Sequence, residues 1–106
     1  MIIPIIPGIH IAVKDAVLNG ELLEMTDWHS SCGTKHCRAG WVVKLAGKAG
    51  KALETKTSTE FAAMMIYKKS SPIRVAPTKF YTSNEESLKD ILLCAELEEK
   101  SQTENH

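Results

Sequence analysis

Hydrophobic residues along this chain recur mostly at the spacing of an α-helix. From Ile9 onward, apolar residues lie three or four positions apart, and Asn19-Gly20 then supplies two residues that tolerate the left-handed conformation found at helix ends. Before this segment, two prolines among four isoleucines indicate an extended apolar stretch over residues 1–8. The pattern therefore predicts an extended N-terminal segment followed by a first helix.

A second apolar stripe follows Thr34, which is a candidate N-cap for a helix that begins near residue 35. In that helix Cys37, Trp41 and Leu45 are spaced four positions apart and therefore lie on one face. Gly47 is expected to end or bend the helix, because glycine commonly follows a helix C-terminus. We therefore predict a helix that places Trp41 against the core and stops near Gly47.

Two capping boxes, in which a hydroxyl residue lies three positions before a glutamate, predict the starts of two further helices. They are Thr57-Ser58-Thr59-Glu60 and Ser83-Asn84-Glu85-Glu86. The segment 61–67 after the first box is apolar nearly all round, including Met64-Met65, so we predict that it is the buried central helix. Between the two helices, prolines bracket an extended linker or one short strand near 73–76.

These elements together predict a mainly α fold, a small single domain of about four helices. A chain of 106 residues is long enough for one domain that buries roughly 65% of its unfolded surface. We assign residues 1–8 to the extended N-terminal segment and residues 9–97 to the helical domain. Residues 98–106 lack apolar side chains and are predicted to form a flexible acidic tail.

The charges are balanced overall but unevenly distributed. The formal net charge is zero, which argues against a nucleic-acid binder that relies on bulk positive charge. Residues 35–56 carry six basic residues against one acid, whereas residues 85–106 carry seven acids against two lysines. We expect these two regions to face each other or to be solvated separately, and a phosphate- or acid-binding face on residues 35–56 is the alternative.

Composition also bears on the compartment. No apolar run approaches the roughly 18 residues needed to span a bilayer, and the opening segment lacks the basic residues of a signal peptide. Three cysteines, an odd number, do not form a disulfide framework. We therefore predict a cytoplasmic, reduced protein that does not bind membranes.

Side chains suited to chemistry are concentrated in residues 28–41. This stretch holds both tryptophans, two of the three cysteines and two of the four histidines. A Cys37 thiolate near a predicted helix N-terminus is favoured by the helix dipole and by a basic neighbour, and Cys32 is a second candidate nucleophile. His36 or His29 is then the candidate general base. These four residues are the candidate catalytic residues of a small thiol-dependent enzyme.

The same two cysteines and two histidines are also ligand types that zinc accepts in a tetrahedral site. Adjacent residues in a helix point about 100° apart, however, so His36 and Cys37 do not readily reach one ion. A redox pair between Cys32 and Cys37 is a further alternative, although its spacing is longer than Cys-X-X-Cys. The zinc site ranks third, and we expect neither a bound metal nor a cofactor.

A structural interpretation explains more of these residues at once. Gly40 would let another backbone approach the helix closely, and Trp28 and Trp41 would close over that contact. Cys37 fits at this position because it is small and apolar. Arg38 then bonds to a helix terminus or pairs with an acid. In this interpretation the stretch is a packing corner that positions the following helix.

The run His36-Cys37-Arg38-Ala39-Gly40-Trp41 is the most specific motif in the chain. Together with Trp28-His29, Leu45-Ala46-Gly47 and Met65-Ile66-Tyr67, it resembles an uncharacterised family found in bacterial and phage-encoded proteins. Members of that family often carry this module C-terminal to pentapeptide repeats. The resemblance covers most of residues 9–97 and implies a helical module without an established activity. No pentapeptide repeat is present in this sequence, and the apolar opening is where such a domain would join.

The leading hypothesis is a non-enzymatic helical interaction or structural module of mobile-element origin. It is expected to bind an unknown protein partner or to self-associate. The alternatives are a small thiol-dependent enzyme and, third, a zinc-binding module.

Overall fold

Helices dominate the computed structural model of the chain, which describes residues 2–19, 23, 25 and 37–104. Within this part, the mainly α fold is confirmed, with five α-helices and one 3₁₀ helix. The α-helices are α1 (Ile9–Leu18), α2 (Arg38–Leu45), α3 (Gly47–Lys56), α4 (Thr59–Ser70) and α5 (Asn84–Glu104), and the 3₁₀ helix spans Pro77–Tyr81.

Helix α2 begins at Arg38, and its N-cap is Cys37 rather than Thr34. Cys37 has the extended backbone conformation of an N-cap, and its Sγ accepts a hydrogen bond from the Gly40 N–H at 3.3 Å. The prediction was wrong on this point because sulfur is a weak acceptor and is not one of the preferred capping groups. Trp41 is buried in the core as predicted, whereas Leu45, the last residue of the predicted stripe, is exposed.

Two glycines shape the junction between α2 and α3. Gly47 has a φ of 66° and ends α2 at the predicted place. A Cβ atom at Gly50 would lie 2.5 Å from the carbonyl oxygen of Val43, so α3 can pack this closely on α2 only because Gly50 has no side chain. The stretch after α2 forms a helix of its own, α3. The described residues therefore contain five α-helices where the sequence predicted about four.

Helix α4 starts one residue later than its capping box predicted. Ser58 is the N-cap, and its Oγ accepts a hydrogen bond from the Phe61 N–H at 3.1 Å. Thr57 instead donates its hydroxyl to the Leu53 carbonyl at 2.6 Å and closes the end of α3. One side of α4 is buried, whereas Phe61 is exposed, so this helix is not enclosed all round as predicted. Its buried residues are Ala62, Ala63, Ile66 and Tyr67.

The chain between α4 and α5 contains no strand at residues 73–76. Val75 is buried there, and the Ile73 carbonyl lies 3.4 Å from Nε2 of His10. Side-chain burial and this contact hold the segment, so of the two predicted alternatives the structure has the linker and not the strand. The N-cap predicted at Ser83 is confirmed, because its Oγ accepts a hydrogen bond from the Glu86 N–H at 3.2 Å as α5 begins.

Helix α5 continues to Glu104, beyond the point where a flexible tail was predicted to begin. Glu98 is buried, and its carboxylate accepts hydrogen bonds from the N–H groups of His10 at 3.3 Å and Ile11 at 3.0 Å. These are amides of the first turn of α1, which has no side-chain cap of its own. The boundary at residue 98 is therefore corrected, since Glu98 belongs to the domain and caps another helix.

The hydrophobic core is enclosed by α1 to α5, with α1 packed along α5 and α4 packed against α2 and α3. The extended N-terminal segment also contributes, since Ile3 and Ile6 pack against the core and the Ile6 N–H donates to Oγ of Ser70 at 3.0 Å. The Met64-Met65 pair lies partly buried against the core, as predicted. None of the helices in the described part of the chain is long and apolar enough to cross a bilayer.

Candidate functional site

The residues predicted to carry chemistry fall into two groups. Trp28, His29, Cys32 and His36 lie outside the described residues, so the thiol-enzyme, zinc and redox hypotheses that depend on them stay predictions. Cys37, Gly40 and Trp41 are described, and all three are buried.

Cys37 lies in the environment of a packing residue. Its side chain is 1% exposed, and its Sγ is occupied as the acceptor that caps α2. A nucleophilic thiolate must be reachable by its substrate, and reactive cysteines occupy partly exposed positions. The environment of Cys37 therefore favours the structural interpretation of the motif over catalysis at this sulfur.

Arg38 is the most unusual residue of the motif, because its side chain is 0% exposed. Its Nε donates a hydrogen bond to Oη of Tyr67 at 3.1 Å, its Nη1 donates to Oδ2 of Asp90, and its Nη2 donates to Sγ of Cys94 at 3.6 Å. The Cys94 thiol lies 3.8 Å from the same Asp90 oxygen. We call these four residues the arginine network. The network joins α2, α4 and α5 through one buried guanidinium group.

Opposite charges and burial set the protonation states in the arginine network. Burial favours the neutral form of Arg38, but the adjoining Tyr67 and Asp90 raise its pKa, so the guanidinium stays charged. Burial also acts to raise the pKa of Asp90, and the hydrogen bond and charge of Arg38 outweigh it, so the pKa is lowered and the carboxylate is ionised. Burial raises the pKa values of Tyr67 and Cys94, which therefore remain protonated at neutral pH.

His10 extends the network along an aromatic stack. Its ring lies 5.3 Å from the Tyr67 ring at an interplanar angle of 19°, and Phe80 stacks on Tyr67 at 6.3 Å and 17°. Burial lowers the pKa of His10, so its imidazole is neutral at pH 7 and can donate a hydrogen bond from Nε2 to the Ile73 carbonyl. The stack holds α1, α4 and the 3₁₀ helix together.

Only one edge of the arginine network reaches solvent. The Asp90 side chain is 21% exposed, and Nζ of Lys79 lies 3.8 Å from its Oδ1. Asp90 is therefore shared between a buried cation and a surface cation. A carboxylate that pairs with two cations and joins helices in the interior suits a structural tie between those helices.

The sequence contains a signal for this network in the spacing of polar residues on α5, which the sequence prediction did not include. Ser87, Asp90, Cys94 and Glu98 recur three or four positions apart on α5, and Ser87, Cys94 and Glu98 are buried. Polar residues at helical spacing are usually interpreted as a solvated face. Here they mark the inward face of α5, where Glu98 accepts from amides of α1, and Asp90 and Cys94 accept from Arg38 of α2.

The outward side of α5 carries exposed apolar residues. Leu92, Leu93 and Leu97 are 38%, 52% and 44% exposed, respectively. On a helical wheel these three positions fall within about 140°, on the side opposite the buried stripe. We call these three residues the leucine face.

Among the described residues of the basic region 35–56, the basic side chains lie in two different environments. Arg38 is buried in the arginine network, whereas the four lysines between Lys44 and Lys56 are exposed. Within the part of the chain that the structure describes, the basic and acidic regions pair in the interior between Arg38 and Asp90. The predicted pairing of Arg38 with an acid is confirmed, although Asp90 was not anticipated.

Within the described residues, no group of three or more histidine, cysteine, aspartate or glutamate side chains is placed to hold a metal ion. Comparison of the chain with protein-family models, with curated proteins and with solved structures found no match.

Proposed function

We propose that this protein is a non-enzymatic helical interaction module that binds a partner protein, or a second copy of itself, through the leucine face of α5. The observation that carries the proposal is the exposure of Leu92, Leu93 and Leu97 on a helix whose other side is buried against α1. Single exposed leucines are ordinary, but a group of three on one side of a helix is typical of a recognition surface.

The spacing of the leucine face supports recognition of one helix by another protein surface. Leu93 and Leu97 are four residues apart, which is the spacing of anchor residues in helix-in-groove binding. Each leucine of the face is about half exposed, so covering it would contribute about 1 kcal/mol, and the three together would contribute about 3 kcal/mol.

The leucine face is presented on a preformed helix. Ion pairs at 3.6 Å between Glu85 and Lys89, and between Glu96 and Lys100, connect successive turns on the exposed side of α5. Because the helix is already ordered, a partner would not have to supply the entropy cost of forming it. The buried stripe of α5 fixes which side faces outward through Glu98 and Asp90.

The buried motif supports the same function indirectly. The arginine network and the Cys37 cap connect helices in the interior, and this accounts for the burial of a charged side chain without catalysis. We infer further that the protein is cytoplasmic and binds neither membranes nor nucleic acid. Its resemblance at residues 36–41 to a bacterial and phage-encoded family supports a mobile-element origin.

Site-specific photo-crosslinking tests the proposal. A benzoylphenylalanine at position 93 places the reactive group in the leucine face, and the same group at Lys69, an exposed residue of α4, is the matched control. We expect irradiated cells to give a discrete crosslinked product from position 93 and none from position 69. Leu97→Glu in the same chain should abolish that product, because a carboxylate cannot be buried in an apolar contact without a large cost.

The mass of the product separates the two kinds of partner. Twice the mass of the chain indicates self-association, and any other discrete mass indicates a different protein. Equal products from positions 93 and 69, or a product from position 93 that survives Leu97→Glu, would overturn the proposal.

A further inference from the structure

A groove of about 230 Å³ runs between the C-terminal half of α4 and the segment that follows it. The residues of its wall that are buried or partly buried are mostly apolar, and they form the floor. The apolar ones are Met64, Tyr67, Ile73 and Val75, and the polar one is Ser71. The groove lies apart from the leucine face, so what it binds does not depend on the function proposed above.

Two cations stand at the rim of this groove. Lys68 and Arg74 both line it, and both are exposed. Neither forms an ion pair with a carboxylate in the part of the chain that the structure describes, whereas Lys51, Lys79 and Lys89 do. An apolar floor beside two cations that are free to pair is complementary to a ligand with an apolar body and an anionic end.

We propose that the groove binds a small amphipathic carboxylate, with its apolar tail on the floor and its head group between Lys68 and Arg74. The volume sets the size of the tail. An apolar cavity of about 150 Å³ holds one benzene molecule, so a groove of about 230 Å³ holds about nine non-hydrogen atoms. A straight chain of about eight carbons with its carboxylate at the rim matches this size, and octanoate is the simplest such molecule.

The wall of the groove is held in shape by the buried core. The Tyr67 ring stacks on His10, and its hydroxyl oxygen accepts a hydrogen bond from Arg38. The Ile73 carbonyl contacts Nε2 of His10. These contacts fix both sides of the groove before a ligand arrives. A preformed wall lowers the cost of binding a ligand that makes few contacts.

Titration followed by ¹⁵N–¹H correlation NMR tests the proposal with three probes. Octanoate carries both parts of the ligand, octan-1-ol carries the tail alone, and acetate carries the head group alone. We expect octanoate to bind with a Kd on the order of 0.1–1 mM and to shift the amide signals of residues 73–75. Octan-1-ol should bind about tenfold more weakly, and acetate should give no saturating shift.

Three variants locate the contacts. Lys68→Ala combined with Arg74→Ala should weaken octanoate binding about three- to tenfold and leave octan-1-ol unchanged, because only the head group pairs with these cations. Met64→Gln should weaken both ligands. Lys69→Ala removes an adjacent exposed cation that does not line the groove, and it should change neither affinity. All three variants change exposed or partly buried residues. A urea unfolding transition of each variant is the control for its folding.

Two results would overturn the proposal. One is equal binding of octanoate and octan-1-ol, which would show that the rim cations recognise no head group. The other is an equal effect of Lys69→Ala and of the Lys68 and Arg74 double variant, which would show that octanoate responds only to net charge.

Discussion

Replacing Asp90 by alanine isolates the contribution of the arginine network to stability. The change removes the only carboxylate that hydrogen-bonds to the Arg38 side chain among the described residues and leaves a buried guanidinium without its counter-charge. Breaking a buried ion pair in this way costs about 3–5 kcal/mol. The Asp90 side chain is 21% exposed, so water can enter the vacated space and solvate Nη1 of Arg38. We therefore expect the lower end of the range, about 3 kcal/mol.

Urea unfolding monitored by circular dichroism measures this loss. For a domain of this size, about 3 kcal/mol corresponds to a fall of about 12 °C or more in Tm, so a thermal scan provides a second readout. Asp15→Ala, which removes an exposed aspartate on α1, is the matched control and should change the free energy of unfolding by less than about 0.5 kcal/mol. Arg38→Met and the double variant complete a mutant cycle, and we expect a coupling energy of at least about 2 kcal/mol.

The same pair predicts a pH dependence. The pKa of Asp90 is lowered in the folded protein from its ordinary value of 3.8, so its ionised form is favoured by folding. The stability that this contributes is fully present above pH 3.8 and is lost as the pH falls through the lower folded-state pKa. When the pH is lowered through this range, the free energy of unfolding of Asp90→Ala should therefore fall less than that of the parent protein. A cost below about 1 kcal/mol at neutral pH, or an unchanged acid profile, would refute the reasoning, since Arg38 would then not need its partner.

Three further predictions concern residues that join helices. Glu98→Ala should destabilise the protein by about 2 kcal/mol in urea unfolding, because two amides of α1 lose a charged acceptor. Glu98→Gln should cost less, and equal costs for the two variants would contradict a charge-assisted cap. Burial lowers the pKa of His10 from 6.5, so folding favours the neutral imidazole. The stability that this contributes is fully present above pH 6.5 and is lost as the pH falls through the lower folded-state pKa of His10. His10→Phe keeps the stack on Tyr67 and should show a smaller fall in Tm between about pH 7 and pH 5 than the parent; an equal fall would place the effect elsewhere. Cys37→Ala should cost about 1 kcal/mol and Cys37→Ser less, because only serine restores an N-cap acceptor, and similar costs would argue against the sulfur cap.

Local features of the chain were predicted well from the sequence. The first helix, its end near Asn19 and the cap at Ser83 follow from residues within one or two turns of each other. The burial of Cys37 and Trp41 was also predicted, because small and aromatic residues in that pattern belong in a core. The capping box at Thr57 was misplaced by one residue because two hydroxyl residues compete there, and the chain uses Thr57 to close α3 and Ser58 to open α4.

The candidate sites depended more on the tertiary structure. The groove at the end of α4 and the leucine face of α5 could not be recognised from the sequence, because a leucine or methionine at helical spacing has the same pattern whether it faces the core or solvent. Packing of α1 and α4 decided which side of each helix is buried. Of the predicted catalytic residues, Cys37 is buried, and the other three lie outside the described residues.

The sequence by itself determined the helical class, several helix boundaries and the apolar character of the core, because periodicity and capping act over a few residues. Only the tertiary structure decided which partners the buried charged groups have. Arg38 pairs with Asp90, 52 residues away along the chain, and the amide of Ile11 donates to Glu98, 87 residues away. No local pattern specifies such pairs, because the cost of burying a charge is offset only when folding brings the partner within hydrogen-bond distance.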